Sequence, residues 1–236
     1  MISLDGKKAI VTGAGKGIGK ATAIELVKAG ATVAVASRTQ ADLESLAEMF
    51  PGKVHPFKTD VSQRLDVTDL FEAASGALGG LDILVAAAGV ATFGNSVELP
   101  DEVWERTLAI NLTGMFYCNM EAIRKMLPSG EGDIVNVLSM VAVQAMPGSA
   151  AYTASKSGGL GLTRSLNSEY RSKGIRVMAV LPGATATPFW ESQNSPLDIT
   201  RMIPADVVAK NIVWALGQPR NASIDELLLM PKDGVL

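Results

Sequence analysis

This sequence predicts a doubly wound α/β fold, with a seven-stranded, mostly parallel sheet flanked by helices on both faces. Three observations predict it. Short apolar, β-branched runs alternate with helical stretches from one end to the other. A glycine-rich turn joins the first such run to the first helix. No linker, repeat or low-complexity tract interrupts the 236 residues, which a single dinucleotide-binding domain over 1–236 would accommodate.

Ala9-Ile10-Val11 reads as a buried strand, and Thr12-Gly13-Ala14-Gly15-Lys16-Gly17-Ile18-Gly19 follows it. A helical pattern of Ile18, Ala21, Ile24 and Val27 then runs to Gly30, a natural stop. The next strand is Thr32 to Ala36, and a helix spans Gln40 to Phe50. Lys53 to Thr59 reads as a strand, interrupted by Pro56 and expected at a sheet edge. A helix from Gln63 to Leu78 and a strand from Asp82 to Ala87 come next. One long helical stretch covers Pro100 to about Leu127 and contains Asn111. Asparagine is a poor residue in mid-helix, so it either caps a kink or does polar work.

Gly132 to Val137 is a strand, Tyr152 to Tyr170 a helix, and Arg176 to Leu181 a strand. The segment Pro182 to Trp190 is punctuated by proline and glycine and bears Phe189 and Trp190, a natural lid or substrate wall. A helix from Pro204 to Leu216 and a strand from Glu226 to Met230 complete the chain.

Composition narrows the function. Hydrophobic residues make up 47% and charged residues 19%, the balance of a core-rich globular protein. A net charge of −3 argues against nucleic acid as a partner. The single cysteine, Cys118, excludes an internal disulfide and fits a cytoplasmic location. No apolar run is long enough to span a bilayer. The only histidine, His55, lies on the predicted edge strand, and no G-x-S-x-G elbow is present, so a Ser-His-Asp hydrolase is excluded. Nothing in the sequence suggests a metal site.

Chemistry concentrates between Ser139 and Lys156. Ser139 follows the strand ending at Val137, and Tyr152 comes thirteen residues later. On a helix, Tyr152 and Lys156 are i,i+4 neighbours on one face. A phenol titrates near pH 10, too high for easy proton exchange, and a nearby cation lowers that value. Ser139 would hydrogen-bond the reacting oxygen. The glycine loop suits a pyrophosphate at a helix N-terminus. At the end of the second strand, where an NAD site carries an acidic residue, stand Ser37 and Arg38. Together with Lys16 they favour a 2′-phosphate, so NADP(H) is expected over NAD(H). Asp60 would bind the adenine amino group or hold a turn.

With these residues in hand, the chain resembles the classical short-chain dehydrogenase/reductase (SDR) family over essentially its whole length. Thr12 to Gly19 matches the family's T-G-x-x-x-G-x-G loop, and Asp60 its adenine-contacting residue. Asn111, Ser139, Tyr152 and Lys156 match its catalytic tetrad, and Pro182, Gly183 and Thr187 its P-G-x-x-x-T segment. The resemblance implies a Rossmann-type fold and an NADP(H)-dependent oxidoreductase that interconverts a ketone or aldehyde and an alcohol. Tyr152 would be the acid/base, Lys156 would hold the nicotinamide ribose and lower the tyrosine's pKa, and Asn111 would hold a relay water.

The cofactor would touch Gly13, Gly15, Lys16, Gly17, Ile18, Gly19, Ser37, Arg38, Asp60, Val61, Ala88, Gly89, Lys156, Pro182, Gly183, Thr185 and Thr187. Phe93, Met140, Met146, Phe189 and Trp190 are candidates for an apolar substrate wall. A homotetramer or homodimer is implied by the same resemblance. Two departures stand out: Ala86-Ala87-Ala88-Gly89 replaces the usual Asn-Asn-Ala-Gly, and the Ile224 to Pro231 ending differs from the common Val-Asp-Gly-Gly. The altered segment leaves room for a cofactor-sensing protein without a substrate. An epimerase or dehydratase using the same tyrosine is the other alternative.

Overall fold

The computed structural model describes residues 2–190 and 198–235. Its elements, in chain order, begin with β1 (Lys8–Thr12), α1 (Gly17–Lys28), β2 (Thr32–Ser37), α2 (Gln40–Met49) and β3 (Val54–Lys58). Then come α3 (Arg64–Leu78), β4 (Ile83–Ala86), α4 (Asp101–Leu108), α5 (Met115–Met126), β5 (Gly132–Val137) and α6 (Ala150–Tyr170). The last are β6 (Ile175–Pro182), β7 (Thr185–Ala186), β8 (Ile203–Pro204), α7 (Ala205–Leu216) and β9 (Glu226–Leu229).

Seven strands form one sheet in the order β3-β2-β1-β4-β5-β6-β9. Every pairing in it is parallel, where the sequence suggested mostly parallel. The strands are apolar on both sides because both sides are covered. On β1, Ile10 packs into one core, with Phe71, Ile123 and Ile134. Its neighbours Ala9 and Val11 pack into the other, with Leu26, Leu43, Leu46 and Ile212. Burying each Ile, Leu or Phe side chain stabilises the fold by about 1.5–3 kcal/mol, before conformational entropy is charged against it.

Strand order reverses between β1 and β4, so the loops leaving these two strands diverge and open a crevice at their carboxyl ends. Pro56 sits on β3, a sheet edge, opposite Val35, where its missing N–H leaves no central ladder broken. His55 shares that edge strand, four strands from β5, or roughly 19 Å at the usual strand spacing.

Two features were not anticipated. The stretch read as one helix from Pro100 to Leu127 carries a wide π-turn at Ala109–Gly114, between α4 and α5. It also contains Asn111, so a residue that fits an α-helix poorly occupies a turn that is not α-helical. Beyond β6, the pair β7–β8 forms a small parallel sheet of its own, with Thr185 opposite Ile203. No stretch of two residues carries a period from which it could be read.

Candidate active site

Ser139 leaves the carboxyl end of β5, and its Oγ accepts a hydrogen bond from Val141 N at 3.3 Å. Tyr152 lies in the first turn of α6 and Lys156 one turn further on. The Lys156 ammonium is buried, donates to Val137 O at 3.0 Å, and lies 5.7 Å from the centre of the Tyr152 ring. Asn111 is also buried, and its amide oxygen accepts from Val90 N at 2.8 Å. Its amide nitrogen donates to Val90 O at 2.8 Å and to Ser155 Oγ at 3.0 Å. Ser155 donates in turn to Tyr152 O at 2.7 Å, so the π-turn, the loop after β4 and the first turn of α6 are held together. The Asn111 side chain is thus the polar link among these three segments. Gly89 abuts the same group, since a Cβ there would lie 3.4 Å from Lys156 Nζ and 3.5 Å from Asn111 Oδ1.

Burial pushes the Tyr152 phenol up to about 12, and the Ser139 hydroxyl opposes that by hydrogen-bonding to it. Burial also brings the Lys156 ammonium, which donates to the Val137 carbonyl, down to about 8.

Gly13 and Gly17 have φ of +66° and +56°, conformations that disfavour any side chain. A Cβ at Gly13 would fall 2.7 Å from the Ala87 carbonyl, so the loop after β1 needs bare backbone to lie against the loop after β4. Lys16, the N-cap of α1, makes no side-chain cap, so no side-chain cap occupies the first N–H groups of α1, which can face an anion. Thr187 reaches over this loop, its methyl 3.2 Å from where a Gly17 Cβ would be. These features fit a pyrophosphate group.

The remaining candidates fall around the crevice in different ways. Ile18 is on the first turn of α1 and packs at the margin of the second core. Arg38 is exposed, and Ser37 Oγ is engaged with its own turn, bonding Thr39 N and Thr39 O at 3.3 Å each. Lys16 is paired with Asp42 of α2 at 4.0 Å. A Cβ at Gly15 would lie 3.0 Å from Ser37 Oγ and 3.3 Å from Asp42 Oδ2, so this carboxylate sits among the groups expected to meet a 2′-phosphate. Sequence reasoning missed Asp42 because only the fold sets α2 beside the glycine loop.

Asp60 Oδ1 accepts from Ser62 N at 3.0 Å and Ser62 Oγ at 2.7 Å, while the neighbouring Val61 is buried. Ala88 packs at the margin of the first core. Gly183 N donates to Leu229 O at 2.7 Å, tying the end of β6, with Pro182, to β9. Thr185 Oγ1 donates to Gly183 O at 2.9 Å.

Of the apolar candidates, Phe93 and Phe189 pack on Tyr152, at 5.9 Å and 6.1 Å between ring centres, and Trp190 packs on both of them. Met140 is buried just after Ser139, and Met146 is half-buried on the loop that leads into α6. Cys118 is buried within the core, where burial pushes its thiol up to about 12. Among the described residues, no helix is long and apolar enough to cross a membrane.

The family model described as short chain dehydrogenase matches residues 7–198. A protein from Emericella nidulans called glycine betaine reductase ATRR is 37% identical over 98% of this chain. The chain spans about a fifth of that relative, 19% of its length. An alcohol dehydrogenase from the archaeon Thermococcus sibiricus, solved with 5-hydroxy-NADP, superposes with a TM-score of 0.89 at 26% identity, covering 96% of this chain and 97% of that one. A 3-ketoacyl-(acyl-carrier-protein) reductase from Brucella melitensis, solved with NADH, gives 0.90 at 29% identity, with coverage of 96% and 97%. With the fold, the glycine loop and these likenesses in agreement, the chain belongs to the short chain dehydrogenase family of oxidoreductases.

Proposed function

We propose that this protein reduces a ketone or aldehyde to an alcohol, reversibly, with NADP(H) as the preferred cofactor. The observation that carries the reading is the meeting of the Ser139 hydroxyl, the Tyr152 phenol and the buried Lys156 ammonium at the carboxyl end of β5. The cofactor, when bound, supplies or takes up the hydride. The chain's own residues handle the oxygen and the proton. Ser139 orients the carbonyl oxygen by hydrogen bonding, and Tyr152 gives that oxygen its proton. Burial keeps the phenol in its protonated form throughout the neutral range, and giving up that proton calls for a neighbouring group, the Lys156 ammonium, to stabilise the phenolate left behind. Asn111 and Ser155 fix the helix turn that presents the phenol. Oxidation of NADPH by carbonyl compounds, followed by absorbance, tests the reading. A protein that binds NADPH and consumes none across a broad panel would be a sensor, and one that interconverts substrates without net consumption an epimerase or dehydratase.

The charge on Lys156 sets an expected pH dependence. Its folded-state pKa is lowered to about 8, so the cation is present below that value and lost above it. A cation one turn away stabilises the phenolate left when Tyr152 gives up its proton. The kcat for reduction is therefore expected to hold level below about pH 7 and to fall as pH rises through about 8. Lys156→Met should lower kcat and flatten that limb. A parent profile level from pH 6 to 10 would contradict the role given to Lys156.

Cofactor preference rests on the charges around Ser37. Arg38→Asp is expected to weaken NADPH binding by about tenfold to a hundredfold with little change for NADH, since a carboxylate repels a 2′-phosphate. Asp42→Asn should act in the opposite sense, releasing Lys16 and tightening NADPH binding several-fold. Fluorescence titration with each cofactor reads both effects without turnover. An unaltered NADPH-to-NADH affinity ratio in both variants would remove the charge argument.

The reading extends to a single catalytic unit working in the cytoplasm, in keeping with the one buried cysteine. It includes assembly into dimers or tetramers, which Trp104 and Phe116, 40% and 41% exposed on α4 and α5, support.

A further inference from the structure

The chain has only six Phe, three Tyr and three Trp, yet four of these rings meet at one place. Phe93 is the hub: its ring centre lies 5.9 Å from Tyr152 at 76°, 6.3 Å from Phe189 at 81° and 6.1 Å from Trp190 at 6°. Phe189 and Trp190 are 5.2 Å apart at 85°. These are the spacings and angles of rings packed on rings, edge to face or offset, each edge set against a neighbour's electron-rich face. Two further bonds hold the cluster in place. Trp190 Nε1 donates to Thr185 O at 2.9 Å, which engages the one polar edge of the indole. Gly94 N donates to Gly148 O at 2.9 Å, tying the loop that carries Phe93 to the loop leading into Tyr152.

We propose that the substrate is a neutral carbonyl compound with an aromatic ring directly on, or one carbon away from, the carbonyl carbon, and that Phe93 selects it. This rests on the carbonyl reductase reading above. A carbonyl oxygen placed between the Ser139 and Tyr152 hydroxyls puts its substituent against the rings that now pack on the phenol. A flat aromatic substituent replaces those edge-to-face contacts in kind. A saturated group of the same size fills the space without the electrostatic match of ring edge to ring face. A cationic substituent would be set beside the Lys156 ammonium, and an anionic one would lose its hydration against four neutral rings.

The reaction is balanced. Hydride from the reduced nicotinamide cofactor adds to the carbonyl carbon, the C–O π bond breaks, and the Tyr152 proton goes to the oxygen. The products are an aryl carbinol and oxidised cofactor, and solvent returns the proton to Tyr152.

The test compares kcat/KM with NADPH for acetophenone and cyclohexyl methyl ketone, two ketones matched in size, with betaine aldehyde as the cationic probe. Acetophenone is expected to be favoured about tenfold over its saturated match. Phe93→Leu should bring that preference to within about twofold, and Phe93→Tyr should retain it. Because the readout is a ratio on one preparation, it does not depend on how much of a variant is folded. Trp190→Leu provides a second variant with the same expected direction. A parent ratio near one, a ratio unmoved by both leucine variants, or a preference for the cation would overturn the proposal while leaving the reductase reading standing. Absence of turnover with all three compounds would overturn the reductase reading, and the proposal with it.

Discussion

Tyr152→Phe is expected to lower kcat for carbonyl reduction by about a thousandfold, within the 10²–10⁴ range of positioned proton donors, while leaving NADPH affinity within about twofold. The substitution deletes one oxygen and keeps the ring. The contacts with Phe93 and Phe189 therefore survive, and so does the i,i+4 packing of Lys156 against the ring. What disappears is the phenolic proton beside Ser139 Oγ. The Ser139 hydroxyl cannot stand in, because its own pKa lies far above that of a phenol. Rate measurements with saturating cofactor, paired with a fluorescence titration of NADPH, separate lost chemistry from lost binding. Turnover within a few-fold of the parent would mean that the proton comes from elsewhere, and the proposed mechanism would fall.

The second large effect concerns stability, at the opposite end of the same strand. Asp133, the second residue of β5, accepts from Arg176 Nε at 2.6 Å and from Arg220 Nη1 at 3.0 and 3.1 Å. The Arg176 and Asp133 side chains are only 7% and 12% exposed. Arg176 also donates to the carbonyls of Leu216, Gln218, Pro219 and Ala222, so this one guanidinium stitches β6 to the end of α7 and the turn after it.

Asp133→Ala removes the carboxylate bonded to both arginines and leaves the buried Arg176 cation without its bonded anion, a change that typically costs about 3–5 kcal/mol. For a chain of this length that corresponds to a fall in Tm of roughly 10 °C, readable by calorimetry. Asp133→Asn, which keeps an acceptor oxygen, should cost less. Since Ser139 leaves the other end of β5, kcat per folded molecule is expected to match the parent. A Tm within about 2 °C of the parent would show that the carbonyl partners alone satisfy Arg176.

Much of this architecture is legible along the chain because its signals are local. The β1 run Ala9-Ile10-Val11 and the helix ending at Gly30 appear where their patterns place them, and Pro56 marks an edge strand as its missing donor requires. Ser139, Tyr152 and Lys156 could be paired from spacing alone, since one helical turn and one strand end determine where they point. The less legible features are those made by contacts distant in sequence. Asn111 advertised a misfit in a helix, but its bonds to Val90 and Ser155 join positions 21 and 44 residues away. The 4.0 Å pairing of Lys16 with Asp42 modifies a cofactor argument that counted the cations alone.

Taken by itself, the order of residues determined the alternation of strands and helices, the glycine loop and the chemistry of the Ser-Tyr-Lys trio. Each of these depends on backbone geometry repeating over a few residues. Tertiary structure decided the surroundings of that trio. Burial raises the Tyr152 pKa and lowers that of Lys156, opposite to the simple attraction of a cation for a phenolate, because desolvation depends on everything packed around a group. It also decided which of the chain's rings gather near the phenol, since Phe93 and Trp190 stand almost a hundred positions apart and meet only where the segment after β4 reaches the segment after β7.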